Sequence, residues 1–170
     1  MNVGFLLPAV LLVVVDQLAK QLIWHFAENT VLIPGYFNLA LVRNGGAAFG
    51  VFQGARWAFV AASIVAMVVI MRVGLRLPRE AKLRRLYLGM ILGGAVGNLI
   101  DRVFAGTVID FIQIGVAGHY WPVFNVADMG VSIGATLLLI DILFLSRHRD
   151  ARVPLPSGES SDSGDAGRAG

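Results

Sequence analysis

Two aspartates stand against hydrophobic runs: Asp110 in Val-Ile-Asp-Phe-Ile and Asp128 in Phe-Asn-Val-Ala-Asp. Both belong to the stretch Gly106 to Asp128, which lies between two long apolar segments. Carboxylates at a membrane edge are costly to place and call for a reason. We read them as meeting across the fold in a catalytic pair. Two close carboxylates cannot both ionise cheaply, so the pair holds one proton between them. The ionised member takes a proton from an attacking water. The protonated member donates to the carbonyl oxygen or the leaving amine.

Other devices fit poorly. His25, His119 and His148 are scattered without an i, i+4 pair, so no metal site is expected. The chain has no cysteine, which excludes disulfides, thiolate metal sites and a cysteine nucleophile. No nucleophile elbow is expected, since the GxSxG string Gly130 to Gly134 lies inside the fourth apolar span and not at a strand-to-helix turn. Ser132 with Lys20 is a nucleophile–base alternative, but Ser132 lies one turn deeper than Asp128. No cofactor is called for.

The elements that must position the pair are membrane helices. The chain of 170 residues is 56% hydrophobic and 15% charged, with mean hydropathy +0.72. Soluble domains run about 45–50% apolar and about 25% charged. The charge of +3 and pI near 9.8 do not signal nucleic acid, because the basic residues cluster beside apolar spans. At this length one domain is expected.

Four spans are predicted, about 4–24, 57–73, 86–104 and 126–145, each near the ~20 residues that cross a bilayer. The first is read as a retained helix, since a basic n-region and a small-residue cleavage site are missing. Asp16 and Lys20 are four apart in it and share a helix face. They make either a structural ion pair, with Lys20 snorkelling to the interface, or a support beside the site. Gly89, Gly93 and Gly97 on the third span, and Gly130 and Gly134 on the fourth, form GxxxG patterns for close helix packing. Asn98, Asp101 and Arg102 crowd one side near the end of the third span. For Asp101 and Arg102 the plainer role is an interface anchor, and for Asp128 a helix-start cap. Asp141, near Arg147, His148 and Arg149, reads as an interfacial charge.

Between the first two spans, Pro34-Gly35 marks a turn and Tyr36 to Val42 suggests a short strand or two. Arg43 to Gly50 is a glycine-rich loop that allows close backbone approach to a ligand. Arg72, Arg76, Arg79, Lys82, Arg84 and Arg85 against Glu80 place the connection between spans two and three in the cytoplasm. With four spans, both termini are then cytoplasmic. Asp16, Asn44, Asn98, Asp101, Arg102, Asp110, Asn125 and Asp128 all fall toward the outer face, and one wet pocket there explains them together. Residues 1–150 form the membrane unit. Residues 151–170, rich in Ser, Gly, Asp and Pro, should be disordered.

Five ordered stretches resemble the bacterial lipoprotein signal peptidase (signal peptidase II) family. They are Asp16-Gln17-Leu18-Ala19-Lys20, Asn44-Gly45-Gly46-Ala47-Ala48-Phe49, Gly93 to Arg102, Val108-Ile109-Asp110-Phe111 and Phe124-Asn125-Val126-Ala127-Asp128. The resemblance covers nearly the whole chain except the tail. It implies an α-helical integral membrane protein of four helices, with a small extracytoplasmic β-cradle and an interfacial amphipathic segment. It implies an aspartyl endopeptidase of the bacterial inner membrane that cuts prolipoproteins just before a diacylglyceryl-modified cysteine. By motif, Asp110 and Asp128 are the catalytic pair. Asp16, Lys20, Asn44, Gly46, Asn98, Arg102 and Asn125 match supporting or substrate-contacting positions, and Asp101 lies within the same motif. Expected partners are prolipoprotein substrates, membrane lipids and globomycin-type inhibitors, with no nucleic acid.

Two other classes compete. A proton-coupled transporter would place its key charge near mid-membrane. A packing or assembly factor built on GxxxG contacts would leave the polar residues unexplained.

Overall fold

The computed structural model describes residues 3–26, 30–46, 52 and 54–145. The second half of the glycine-rich loop (Ala47 to Gly50), the basic residues Arg147, His148 and Arg149, and the tail lie outside them.

Four helices are long and apolar enough to cross a membrane. They are α1 (Leu6–Phe26), α2 (Arg56–Arg76), α3 (Lys82–Phe104) and α4 (Val126–Ile140), the last continued by a π-helical turn, Asp141–Leu145. At 1.5 Å per residue, spans of 19–23 residues reach about 30 Å. Their outward surfaces are apolar: Leu7, Val14 and Leu18 of α1 and Val65 and Val69 of α2 are all exposed. In water such a surface would be a liability. Against lipid it is the expected exterior.

Two span boundaries differ from the sequence expectation. α2 runs on to Arg76, and α3 begins at Lys82, so Lys82, Arg84 and Arg85 belong to the helix rather than the connecting loop. Hydropathy ends a span at the first charge. Lys and Arg are nonetheless good helix formers, and their stems can lie along apolar surface.

α3 is the central helix, packed most extensively on α4 and α1. Its glycines explain why. A Cβ on Gly89 or Gly93 would stand 2.5 and 2.6 Å from the backbone oxygens of Phe5, just before α1, and Ala9 within it. On the opposite side, a Cβ on Gly94 would stand 2.3 Å from the Ala127 oxygen of α4. Lipid gives no hydrophobic drive between helices, so such backbone approach is what holds them.

A four-stranded antiparallel sheet, β1 (Thr30–Ile33), β2 (Phe37–Asn44), β3 (Val108–Val116) and β4 (His119–Tyr120), stands in that order at one end of the bundle. The β1–β2 hairpin turns at Pro34-Gly35, with Gly35 at φ +80° and Tyr36 N–H donating to the Ile33 carbonyl at 3.0 Å. Proline at the first central position and a positive-φ glycine at the second are what a type II turn requires. β3 is rich in strand-forming residues, with Val108, Ile109, Phe111, Ile112 and Ile114 among its first seven. Pairing with β2 sets Val42 opposite Asp110 and Asn44 opposite Val108.

Candidate active site

α4 begins at a reciprocal cap. Asn125, its N-cap, accepts from the Asp128 N–H at 2.9 Å through Oδ1, and Asp128 Oδ2 accepts from the Asn125 N–H at 3.2 Å. Asn125 is therefore the cap, and Asp128 stands three residues inside, where a carboxylate also complements the helix dipole. Asp128 Oδ1 accepts from Asn98 Nδ2 at 2.7 Å.

Asp110 comes from β3 and is 2% exposed. Asn125 Nδ2 donates to its Oδ1 at 2.7 Å, and Asn44 Nδ2 to its Oδ2 at 2.9 Å. Asn44 reaches it because side chains two apart on a strand share a face, which puts Asn44 diagonal to Asp110 across the β2–β3 pair. Burial pushes the Asp110 carboxyl up to about 6, and the neighbouring charge of Asp128 pushes the same way. The amides of Asn44 and Asn125 and the ammonium of Lys20 pull against it.

Both aspartates line one chamber of about 480 Å³. Its lining is mixed, with polar Asn44, Gly46, Asn98 and Arg102 and apolar Trp121, Phe124, Met129 and Ile133.

Beneath the chamber lies a buried ionic cluster. Lys20 Nζ is 2.7 Å from Asp16 Oδ2 and 2.8 Å from Asp101 Oδ2, and it donates to Asn98 Oδ1 at 3.2 Å. An ammonium has donors only, so it holds the Asn98 oxygen toward itself and leaves the Asn98 NH₂ for Asp128. Lys20 is 1% exposed and does not snorkel to the interface. A salt-bridged ammonium committed to these three groups is no base for Ser132, which lines the chamber wall. Asp101, 7% exposed, is a member of this cluster and not an interface anchor. Gln17, which the sequence reading passed over, donates to Asp16, Asp101 and the Gly97 carbonyl at 3.1–3.3 Å. A polar side chain inside a membrane span was the signal for it.

Arg102 stacks 5.0 Å from the Phe59 ring and donates at 3.4 Å to the Gly46 and Asn98 carbonyls. Arg43 lies 4.6 Å over the Trp24 ring. Asp141 is corrected as well. It is 1% exposed at the opposite end of the bundle and pairs with Arg84 of α3. Hydropathy sees a charge near a chain end and assigns it to the surface. Only packing shows that it faces inward. Among the described residues, no group of three or more His, Cys, Asp or Glu side chains could hold a metal ion.

The fold and site define a class: a multi-pass membrane protein with an acidic, amide-lined chamber at one end of its bundle. Comparison with known proteins narrows this. The signal peptidase II family profile matches residues 8–144. The lipoprotein signal peptidase of Symbiobacterium thermophilum is 41% identical over 143 residues, covering 82% of this chain and 93% of its own. That of Brevibacillus brevis is 40% identical, covering 81% and 93%. A solved bacterial membrane enzyme superposes with a TM-score of 0.79 at 28% identity, covering 89% of this chain and 93% of its own. The chain belongs to the signal peptidase II family.

Proposed function

We propose that the chain is an aspartic endopeptidase that removes signal peptides from prolipoproteins, cutting just before the diacylglyceryl-modified cysteine. The observation that carries this reading is the joint placement of Asp110 and Asp128. They line one chamber, they come from different elements, and the Asn125 side chain donates to the Asp110 carboxylate while accepting from the Asp128 backbone N–H. Close carboxylates sharing one proton supply a base for water and an acid for the leaving amine. Asn44, Asn98 and Asn125 orient the two carboxyl groups.

The mixed chamber suits this substrate. Its polar groups suit a peptide backbone. Met129 and Ile133, four apart on α4 and about two-fifths exposed, offer apolar surface to the acyl chains. A site at the membrane surface meets the scissile bond without drawing acyl chains from the bilayer, which would cost about 0.8 kcal/mol per CH₂. Globomycin-type inhibitors would occupy the same chamber. The basic residues around Arg79 lie at the bundle end away from it. That supports an outer-face site in the bacterial inner membrane, with both termini cytoplasmic. A mid-membrane transport site is disfavoured, since Asp110 lies on a strand and Asp128 in the first turn of a helix.

The test is cleavage of a diacylglyceryl-modified prolipoprotein by purified wild type, Asp110→Asn and Asp128→Asn, with thermal unfolding as the folding control. Wild type should cut, and both folded variants should not. Near-normal cleavage by either variant would reduce that aspartate to a structural role. A silent wild type would return the transporter reading.

A further inference from the structure

Each aspartate of the proposed pair follows a residue whose backbone N–H is held by the buried cluster. Ile109, just before Asp110, donates to Asp101 Oδ2 at 3.2 Å. Ala127, just before Asp128, donates to Asp16 Oδ1 at 2.8 Å. The two receiving carboxylates are joined by one ammonium, that of Lys20. Gln17 Nε2 bridges them too, at 3.2 Å from Asp16 Oδ2 and 3.1 Å from Asp101 Oδ1.

We propose that Asp16, Gln17, Lys20 and Asp101 form a clamp that sets the spacing of Asp110 and Asp128, a claim that rests on those two being the catalytic pair. The pair comes from two elements, β3 of the sheet and α4 of the bundle, which meet where Phe124, two residues before α4, exchanges backbone hydrogen bonds with Ile112 at 2.8 and 3.0 Å. A strand and a helix joined at their edges can slide by an ångström at little cost. Carboxylates gripping a peptide N–H beside each aspartate remove that freedom, because charge-assisted bonds are short and directional. The gripped groups are local on one side, Asp101 to Ile109, and distant on the other, Asp16 to Ala127, 111 positions apart.

Burial argues for geometry rather than net stability as the role of the cluster. Asp16 is 0%, Lys20 1% and Asp101 7% exposed, and a buried ion pair roughly offsets its own desolvation. Among the described residues lining the chamber, none of the four is found, so they act through the pair and do not meet substrate. They are positioning residues.

The experiment measures kcat, KM and thermal unfolding of the full chain on a diacylglyceryl-modified prolipoprotein. The variants are Asp16→Ala, Asp101→Ala, Asp101→Asn and Gln17→Leu, with Arg84→Met and Asp110→Asn as controls. Misplacement by an ångström lowers turnover about 100-fold. Asp16→Ala and Asp101→Ala should show that loss in kcat with KM within about 3-fold. Asp101→Asn keeps an acceptor for the Ile109 N–H and should recover part of it. Gln17→Leu should lose about 10-fold, keeping both grips but loosening their link. Arg84→Met opens the buried pair at the far end of α3. It should lower the unfolding temperature and leave kcat alone, the outcome that a merely structural role would give the clamp variants as well. Wild-type kcat in the folded Ala variants overturns the clamp. Should those variants fail to fold, unchanged kcat in Asp101→Asn and Gln17→Leu overturns it. A folded Asp110→Asn that still cleaves overturns the catalytic pair and the clamp with it. A silent Asp110→Asn beside fully active clamp variants overturns the clamp alone.

Discussion

Asn125 and Asp128 hold each other in place at the start of α4, the side chain of each accepting from the backbone N–H of the other at 2.9 and 3.2 Å. The same Asn125 donates to Asp110 at 2.7 Å and is fully buried. One side chain thus caps the helix that carries Asp128 through its oxygen and holds the Asp110 carboxylate through its nitrogen.

These two tasks can be separated by substitution. Serine keeps a cap oxygen but loses the bond to Asp110. Asn125→Ser should retain most of the stability while prolipoprotein cleavage falls at least ~100-fold. Asn125→Ala should lose the cleavage and a further ~1 kcal/mol of stability with the cap. Unfolding curves and kcat on the two variants decide the matter. Normal turnover in Asn125→Ser would mean that the bridge to Asp110 is dispensable.

Asp110 predicts a particular pH dependence of stability. Its carboxyl titrates near 3.8 when unfolded and is raised to about 6 in the fold, chiefly by burial. Between those values the folded state holds the proton more tightly than the unfolded state. The contribution is therefore fully present below pH ~4 and is lost as pH rises through about 6. Asp110→Asn has no such titration. Its stability relative to wild type should rise between pH 4 and 7, by a total on the order of 3 kcal/mol. The slope is the readout, since the absolute value also reflects a lost acceptor. A difference that stays flat over this range would count against a raised Asp110.

Gly94 and Gly130 should respond differently to alanine. A Cβ on Gly94 would press on the Ala127 backbone oxygen at 2.3 Å, and that oxygen lies one residue from Asp128. A Cβ on Gly130 would meet only the end of the Leu12 side chain, at 2.2 Å, and Leu12 can change rotamer. Gly94→Ala should therefore lower both the unfolding temperature and kcat, the latter by about 10-fold or more. Gly130→Ala should cost ~1–3 kcal/mol at most and keep its turnover. Equal kcat in the two variants would show that the α3–α4 spacing at Gly94 does not reach Asp128.

Much of the architecture was legible in the residues themselves. Four spans follow from hydropathy, which is a local property summed over about 20 neighbours. The glycines spaced by four on α3 face α1 as their pattern implied. The Asp16–Lys20 pair forms because four residues return a helix to the same face. The strand expected over Tyr36 to Val42 is present as β2, whereas β3, which carries Asp110, was not read from the sequence.

What the tertiary structure alone decided is who partners whom. Asp101 reads as an anchor until α1 brings Lys20 against it, and Asp141 reads as a surface charge until Arg84 of α3 meets it. Asp16 reaches the Ala127 N–H, and Asn44 reaches Asp110, across separations of 111 and 66 residues. The physical reason is range. The free energy of burying a span is set residue by residue, so it can be read along the chain. A hydrogen bond between distant side chains depends on strand register, helix rotation and interaxial distance together, and those exist only once the elements have packed.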